Sequence, residues 1–141
     1  MEVKFIVNGE PAGKGRPRFS ARGKYVKAYT PEKTLNYENL IAWEYQHQCD
    51  YKFEKCAMLD MRIKAFYKIA KSTSKKKAEL MKKGLLRPTK KPDIDNVVKI
   101  IADSLNDIAY HDDTQIVDLM CRKFYSDNPR VEVLIREINI D

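Results

Sequence analysis

Cysteine is scarce in this chain: Cys49, Cys56 and Cys121 are the only three in 141 residues. An odd count with no C-x-x-C pair suggests neither a disulfide framework nor a zinc site. Cys56 and Cys121 lie in apolar, strand-like runs, so both are expected to be buried thiols in a reducing compartment. Histidine is scarcer still. His47 falls in a helix-like run and reads as structural, while His111 adjoins an acidic turn. No apolar run approaches the ~20 residues that span a bilayer, and the first ten residues, MEVKFIVNGE, lack a signal-peptide pattern. A cytoplasmic protein with no membrane partner is expected. Internal repeats, low-complexity tracts and interdomain linkers are absent too, so residues 1–141 read as a single domain, long enough for a real core.

Acidic residues are outnumbered, 20 against 27 Lys and Arg, which leaves a net charge of +7. That excess points to an acidic partner, with nucleic acid as the first candidate. The basic residues gather in two stretches. In the first, Lys14, Arg16, Arg18, Arg22, Lys24 and Lys27 are interleaved with Phe19, Tyr25 and Tyr29. Cations among aromatics suit a phosphate backbone with exposed bases nearby. A solvated loop with a hairpin tip at Arg22–Lys24 is the plainer reading. The GxxxxGK[ST] spacing of a P-loop is absent. The second stretch carries Lys71, Lys75, Lys76, Lys77, Lys82 and Lys83; phosphate contact and a solubilising helix face are equally open for it.

In chain order, Val3, Phe5 and Val7 alternate as a first strand, ended by the turn signal Asn8-Gly9. After the basic loop, Thr30 as N-cap and Pro31 at the first helical position open a helix to about Gln48. Its aromatics, Tyr37, Trp43 and Tyr45, read as core. Alternation returns from Cys56 to Tyr67 as a second strand with one wet face. Ser72, Thr73 or Ser74 caps a short basic helix that Gly84 ends. After Asp113, TQIVDLMCRKFY and VEVLIREINI read as two strands paired in an antiparallel hairpin around Ser126–Pro129. The order β-(basic loop)-α-β-α-α-β-β implies an α+β fold with a mixed or antiparallel sheet.

The chemistry concentrates in Lys91–Asp113, KPDIDNVVKIIADSLNDIAYHDD. Ile94, Val97, Val98, Ile101, Leu105 and Ile108 form one apolar helical face. Asp95, Lys99, Asp103 and Asn106 fall opposite. Asp93 and Asp95 open the segment, and Asp112 and Asp113 close it. Paired carboxylates on a short rigid element suit a hard divalent cation, which takes one or two of them and fills its octahedron with waters and phosphates. A lysine beside them can stabilise charge on a phosphate. Residue spacing also allows less. Asp93 can be an ordinary N-cap, Asp95–Lys99 an ordinary i,i+4 pair, and Asp112-Asp113 a polar turn.

This stretch resembles the RusA-type Holliday-junction resolvases, endodeoxyribonucleases of bacteria and their phages and prophages. The resemblance rests on Lys91-Pro92-Asp93-Ile94-Asp95-Asn96, on Lys99 and Asp103, and on Asp112-Asp113-Thr114-Gln115. At the N-terminal end it rests on Gly9, Pro11, Lys14, Arg16, Pro17 and Arg18. It implies a homodimer that binds four-way DNA junctions and nicks paired strands with Mg²⁺ or Mn²⁺ and no organic cofactor. Asp93, Asp95 and Asp113 would then hold the metal and Lys99 would be the essential lysine. Asn96, Asp103 and Asp112 are secondary candidates. The competing expectations are a nuclease acting on flaps or other branched DNA, and a non-catalytic nucleic-acid-binding module.

Overall fold

The computed structural model describes residues 1–15, 18–22, 25–29 and 32–140; for 18–22 and 25–29 it describes the backbone. In chain order the elements are β1 (Glu2–Asn8), β2 (Arg18–Arg22), β3 (Tyr25–Tyr29), α1 (Glu32–Gln48), β4 (Leu59–Lys68), α2 (Lys75–Lys82), α3 (Ile94–Ser104), a 3₁₀ turn (Asp113–Gln115), β5 (Ile116–Ser126) and β6 (Arg130–Glu137). They form the expected α+β architecture. Four strands make one mixed sheet in the order β1-β6-β4-β5, and β2 with β3 makes a separate antiparallel hairpin. No described helix is long and apolar enough to cross a membrane.

The period-two pattern places the sheet's buried face. Val3, Phe5 and Val7 of β1, Met61, Ile63, Ala65 and Tyr67 of β4, and Val131, Val133 and Ile135 of β6 are buried together. Ile41 and Tyr45 of α1 and Val97, Ile100 and Ile101 of α3 complete this core. Tyr45 meets Phe5 edge-to-face, ring centroids 5.3 Å apart, a geometry worth about 1 kcal/mol beyond the area it buries. Gln48, at the end of α1, closes the free edge of β1. Its side-chain amide accepts from Ile6 N (2.9 Å) and donates to Ile6 O (2.8 Å), as a neighbouring strand would.

The last two strands do not form the expected hairpin. β6 lies between β1 and β4, antiparallel to both, while β5 lies on the far side of β4 and parallel to it. Burial gives the reason. β6 buries three of its side chains and needs cover, whereas β5 leaves Val117 and Leu119 exposed and tolerates an edge. Three side chains also depart from expectation. Cys56 is exposed, because the turn closed by Ala57 N on Glu54 O places it before β4 begins. Cys121 is half-buried in β5, and burial pushes its thiol up to about 11. Trp43 is exposed and stacks on His47 with centroids 3.8 Å apart, so it is not core.

Ser74 is the residue that caps α2, accepting from Lys77 N at 3.3 Å, and Gly84 ends that helix with φ +74°. The Thr30-Pro31 start of α1 lies outside the described residues.

Candidate active site

α3 is helical because its apolar residues recur at three and four. Val97, Ile100, Ile101 and Leu105 are buried, which turns Asp95, Lys99 and Asp103 toward the open side. Asp93 holds the N-cap position with extended backbone (φ −66°, ψ 155°), yet its side chain makes no capping hydrogen bond. Asp93, Asp95 and Lys99 are all exposed. Among the described residues no ion pair joins Asp95 to Lys99. The plain cap and the plain i,i+4 pair are therefore not what these side chains form. Just ahead of them, Tyr67 of β4 donates its hydroxyl proton to Pro92 O at 2.6 Å and fixes the approach to the helix.

The C-terminal end of α3 is built differently. Asn106 Oδ1 accepts from Asp113 N at 2.9 Å. Gln115 Oε1 accepts from His111 N (2.9 Å) and Asp112 N (3.1 Å), while its Nε2 donates to Glu54 O (2.9 Å) and Ala57 O (3.1 Å). Buried Tyr110 reaches back to Ala102 O at 2.6 Å. These bonds return Asp113 to the neighbourhood of Asp103, whose carboxylate charge bears on it. Partial burial and the charges of Asp112 and Asp103 raise the Asp113 carboxyl above its ordinary value. Asp112 moves the other way, held low chiefly by the Thr114 hydroxyl that donates to it at 2.8 Å. His111 is exposed, 3.8 Å from Asp107.

The root of the basic stretch packs onto this same helix. Lys14 N donates to Asn96 O at 3.0 Å. Lys14 Nζ lies 2.6 Å from Glu38 of α1 and 3.4 Å from Asp103. Burial lowers the Lys14 ammonium, but the Glu38 hydrogen bond and the charges of Glu38 and Asp103 outweigh it and leave the pKa raised. Next to it, Tyr37 Oη is buried without a hydrogen bond of good geometry although the Ala12 backbone lies close, and burial pushes its pKa up to about 12.

The sequence candidates thus fall into two groups along α3. Asp93, Asp95, Asn96 and Lys99 stand at its start; Asp103, Asp112 and Asp113 gather at its end. At 1.5 Å per residue, the rise from Asp95 to Asp103 is roughly 12 Å. Among the described residues no three acidic, His or Cys side chains come close enough to hold one metal ion. The expected joint cluster of Asp93, Asp95 and Asp113 is therefore not assembled here. The donors still fit a hard cation in kind, since one or two carboxylates suffice when waters and phosphates complete the shell. Of the basic candidates, Arg16 and Lys24 lie outside the described residues, as do the side chains of Arg18, Arg22 and Lys27. The positioning roles of Gln115, Asn106, Tyr67 and Gly13 were not read from the sequence, although the residues themselves were. The first carried a signal as the last letter of the D-D-x-Q motif.

A helix that offers two carboxylates and a lysine to solvent, beside a basic stretch on an α+β domain, has the build of a phosphodiester-cutting nuclease. The chain belongs to the endodeoxyribonuclease RusA family, whose family model matches residues 8–136. That match runs from the basic stretch through the acidic helix to the last strand. The chain is also 44% identical over 138 residues to the uncharacterized protein YqaN of Bacillus subtilis (strain 168), with 97% of each chain covered.

Proposed function

We propose that the protein is a metal-dependent endodeoxyribonuclease that resolves four-way (Holliday) junctions by paired nicks, as a homodimer, in DNA recombination and repair. The observation that carries this reading is the start of α3. Within the family match, Asp93, Asp95 and Lys99 are exposed together, and Asp93 leaves its capping role unfilled.

Asp93 and Asp95 would hold Mg²⁺ or Mn²⁺ jointly with a DNA phosphate, and Asp113 is the third carboxylate assigned to the metal. Bound there, the cation supplies Lewis acidity and a water of lowered pKa. Lys99 places a compact positive charge where the phosphate oxygens gain negative charge. Arg16, Arg18, Arg22, Lys24 and Lys27 bind the junction backbone. A two-fold dimer supplies one site for each of the two nicked strands and matches the near two-fold symmetry of a junction.

The test is incubation of purified protein with a synthetic mobile four-way junction, a flap and a plain duplex, with and without Mg²⁺. Symmetric nicks in the junction alone, and only with metal, are expected. Equal cleavage of flap or duplex would move the substrate assignment. Binding without cleavage under both Mg²⁺ and Mn²⁺ would make the protein a binding module.

A further inference from the structure

We infer that Lys14 is a positioning residue for the Asp103–Asp113 carboxylate pair and not a contact to DNA phosphate. The inference deepens the nuclease reading above and rests on it. Three consecutive residues of the basic stretch are pinned to the helices behind them. A Cβ on Gly13 would lie 2.9 Å from the Cβ atoms of both Asn96 and Pro92, so only glycine allows this approach. Lys14 N donates to Asn96 O, and Gly15 N donates to Thr34 Oγ1 of α1 at 3.1 Å. This backbone path turns the Lys14 side chain inward, where it is 22% exposed and bridges Glu38 and Asp103.

An ammonium has three protons to donate; Glu38 already accepts one at 2.6 Å, and Asp103 pairs with the same charge at 3.4 Å. A phosphate entering here would meet Glu38, Asp103 and Asp113 as well as Lys14, and the summed field of that group repels a polyanion. Lys14 instead holds Asp103 at 3.4 Å, and Asp103 is the carboxylate whose charge bears on Asp113, at the end of the helix that Asn106 ties to the Asp113 backbone. Without Lys14 the two carboxylates would face each other with no cation to fix Asp103. The reach of the basic stretch toward DNA therefore begins beyond Gly15.

Binding of a four-way junction in EDTA, measured across salt concentration, separates the two roles without any cleavage. Lys14→Gln should keep the wild-type slope of log affinity against log salt. A slope shallower by about 0.9, the signature of one lost phosphate contact, would overturn the inference. With Mg²⁺, single-turnover cleavage by saturating Lys14→Gln should fall about tenfold at unchanged junction affinity, and Lys14→Gln combined with Asp103→Asn should be no slower than Asp103→Asn alone. Effects that multiply would overturn it. Glu38→Gln removes the other end of the bridge while leaving the basic stretch intact, and should show the same non-additivity if Lys14→Gln folds poorly. Should wild-type protein cleave nothing, the nuclease reading fails by itself, and amine acylation read by mass spectrometry still reports on Lys14. Slow labelling that junction DNA leaves unchanged is expected; fast labelling that DNA suppresses would overturn the inference.

Discussion

The two ends of α3 carry the same residue type in opposite circumstances. At the N-terminal end Asp93 and Asp95 are exposed, and among the described residues neither side chain is in an ion pair. At the C-terminal end Asp103 is bridged by Lys14, and the turn bearing Asp113 is tied down through Asn106 and Gln115. The helix dipole accounts for the contrast. Backbone N–H groups at the N-terminus favour negative charge there without any side-chain partner, while carboxylates near the C-terminus face the negative end and need compensation. The acidic residues at the start are thus affordable and remain available to a ligand. At the end, Asp103 is committed to the frame, which presents Asp113.

The largest effect should come from the open end. Asp95→Asn or Asp93→Asn removes a carboxylate whose expected partner is a cation worth several kcal/mol to the reaction. Cleavage should drop by about a thousandfold or more. Junction affinity should hold or tighten, since a negative charge near phosphate is gone. The fold should barely notice, because both side chains are exposed, neither is in an ion pair among the described residues, and Asp93 makes no capping hydrogen bond. A large loss of stability with cleavage nearly intact would reverse the roles assigned to the two ends.

Lys99→Ala comes next. With no described ion pair, its removal should change stability by no more than about 0.5 kcal/mol, while a lysine that meets charge on the phosphate should cost on the order of a hundredfold in rate. Lys99→Arg keeps the charge but not its compact geometry, so partial rescue is expected. Single-turnover cleavage at saturating enzyme reads this step apart from binding. Wild-type rate for Lys99→Ala would remove Lys99 from the site.

Gln115→Ala tests the closed end. It deletes an amide with four backbone partners, and the loss should be about 1–2 kcal/mol in denaturant unfolding, given a net worth near 1 kcal/mol or less for each partly solvated bond. Its rate loss should follow from a misplaced Asp113. Unchanged stability would mean that the turn is held by the 3₁₀ backbone alone.

The open end was the legible one. Its helix showed through three-and-four periodicity, its start through Pro92, and its chemistry through closely spaced aspartates, all signals local in the chain. At the closed end Asp103, Asp112-Asp113 and Gln115 stood out as residues, but what holds them was not legible, because it depends on distant partners. Lys14 meets Glu38 24 residues away, and Gln115 meets Glu54 61 residues away. Lys14 therefore read as one more cation in a basic stretch. The same limit hid the order of the last strands. Ser126–Pro129 is a good hairpin turn by composition, and only the burial demanded by Val131, Val133 and Ile135 sends β6 past β5 to the other side of β4.

The smallest effect is the one whose sign separates the two ends most cleanly. Burial, Asp112 and Asp103 raise the Asp113 carboxyl above its ordinary value. The folded protein therefore binds this proton more tightly than the unfolded chain does. Asp113 favours the fold most at low pH, and that contribution is lost as pH rises from the ordinary carboxylate value, about 4, through the raised one. At pH 7 its ionised form costs the fold, and Asp113→Asn should lift the melting temperature in EDTA by on the order of 1–2 °C. The gain should disappear near pH 3, where the wild-type carboxyl is protonated in both states. Mg²⁺ should narrow the gap from the other side, by stabilising wild type and not the variant. Asp95→Asn, at the end favoured by the helix dipole, should show no gain at pH 7. If Asp113→Asn melts at or below wild type there, the crowding of Asp103 and Asp113 is already relieved within the fold, and the contrast between the two ends rests on hydrogen bonding alone.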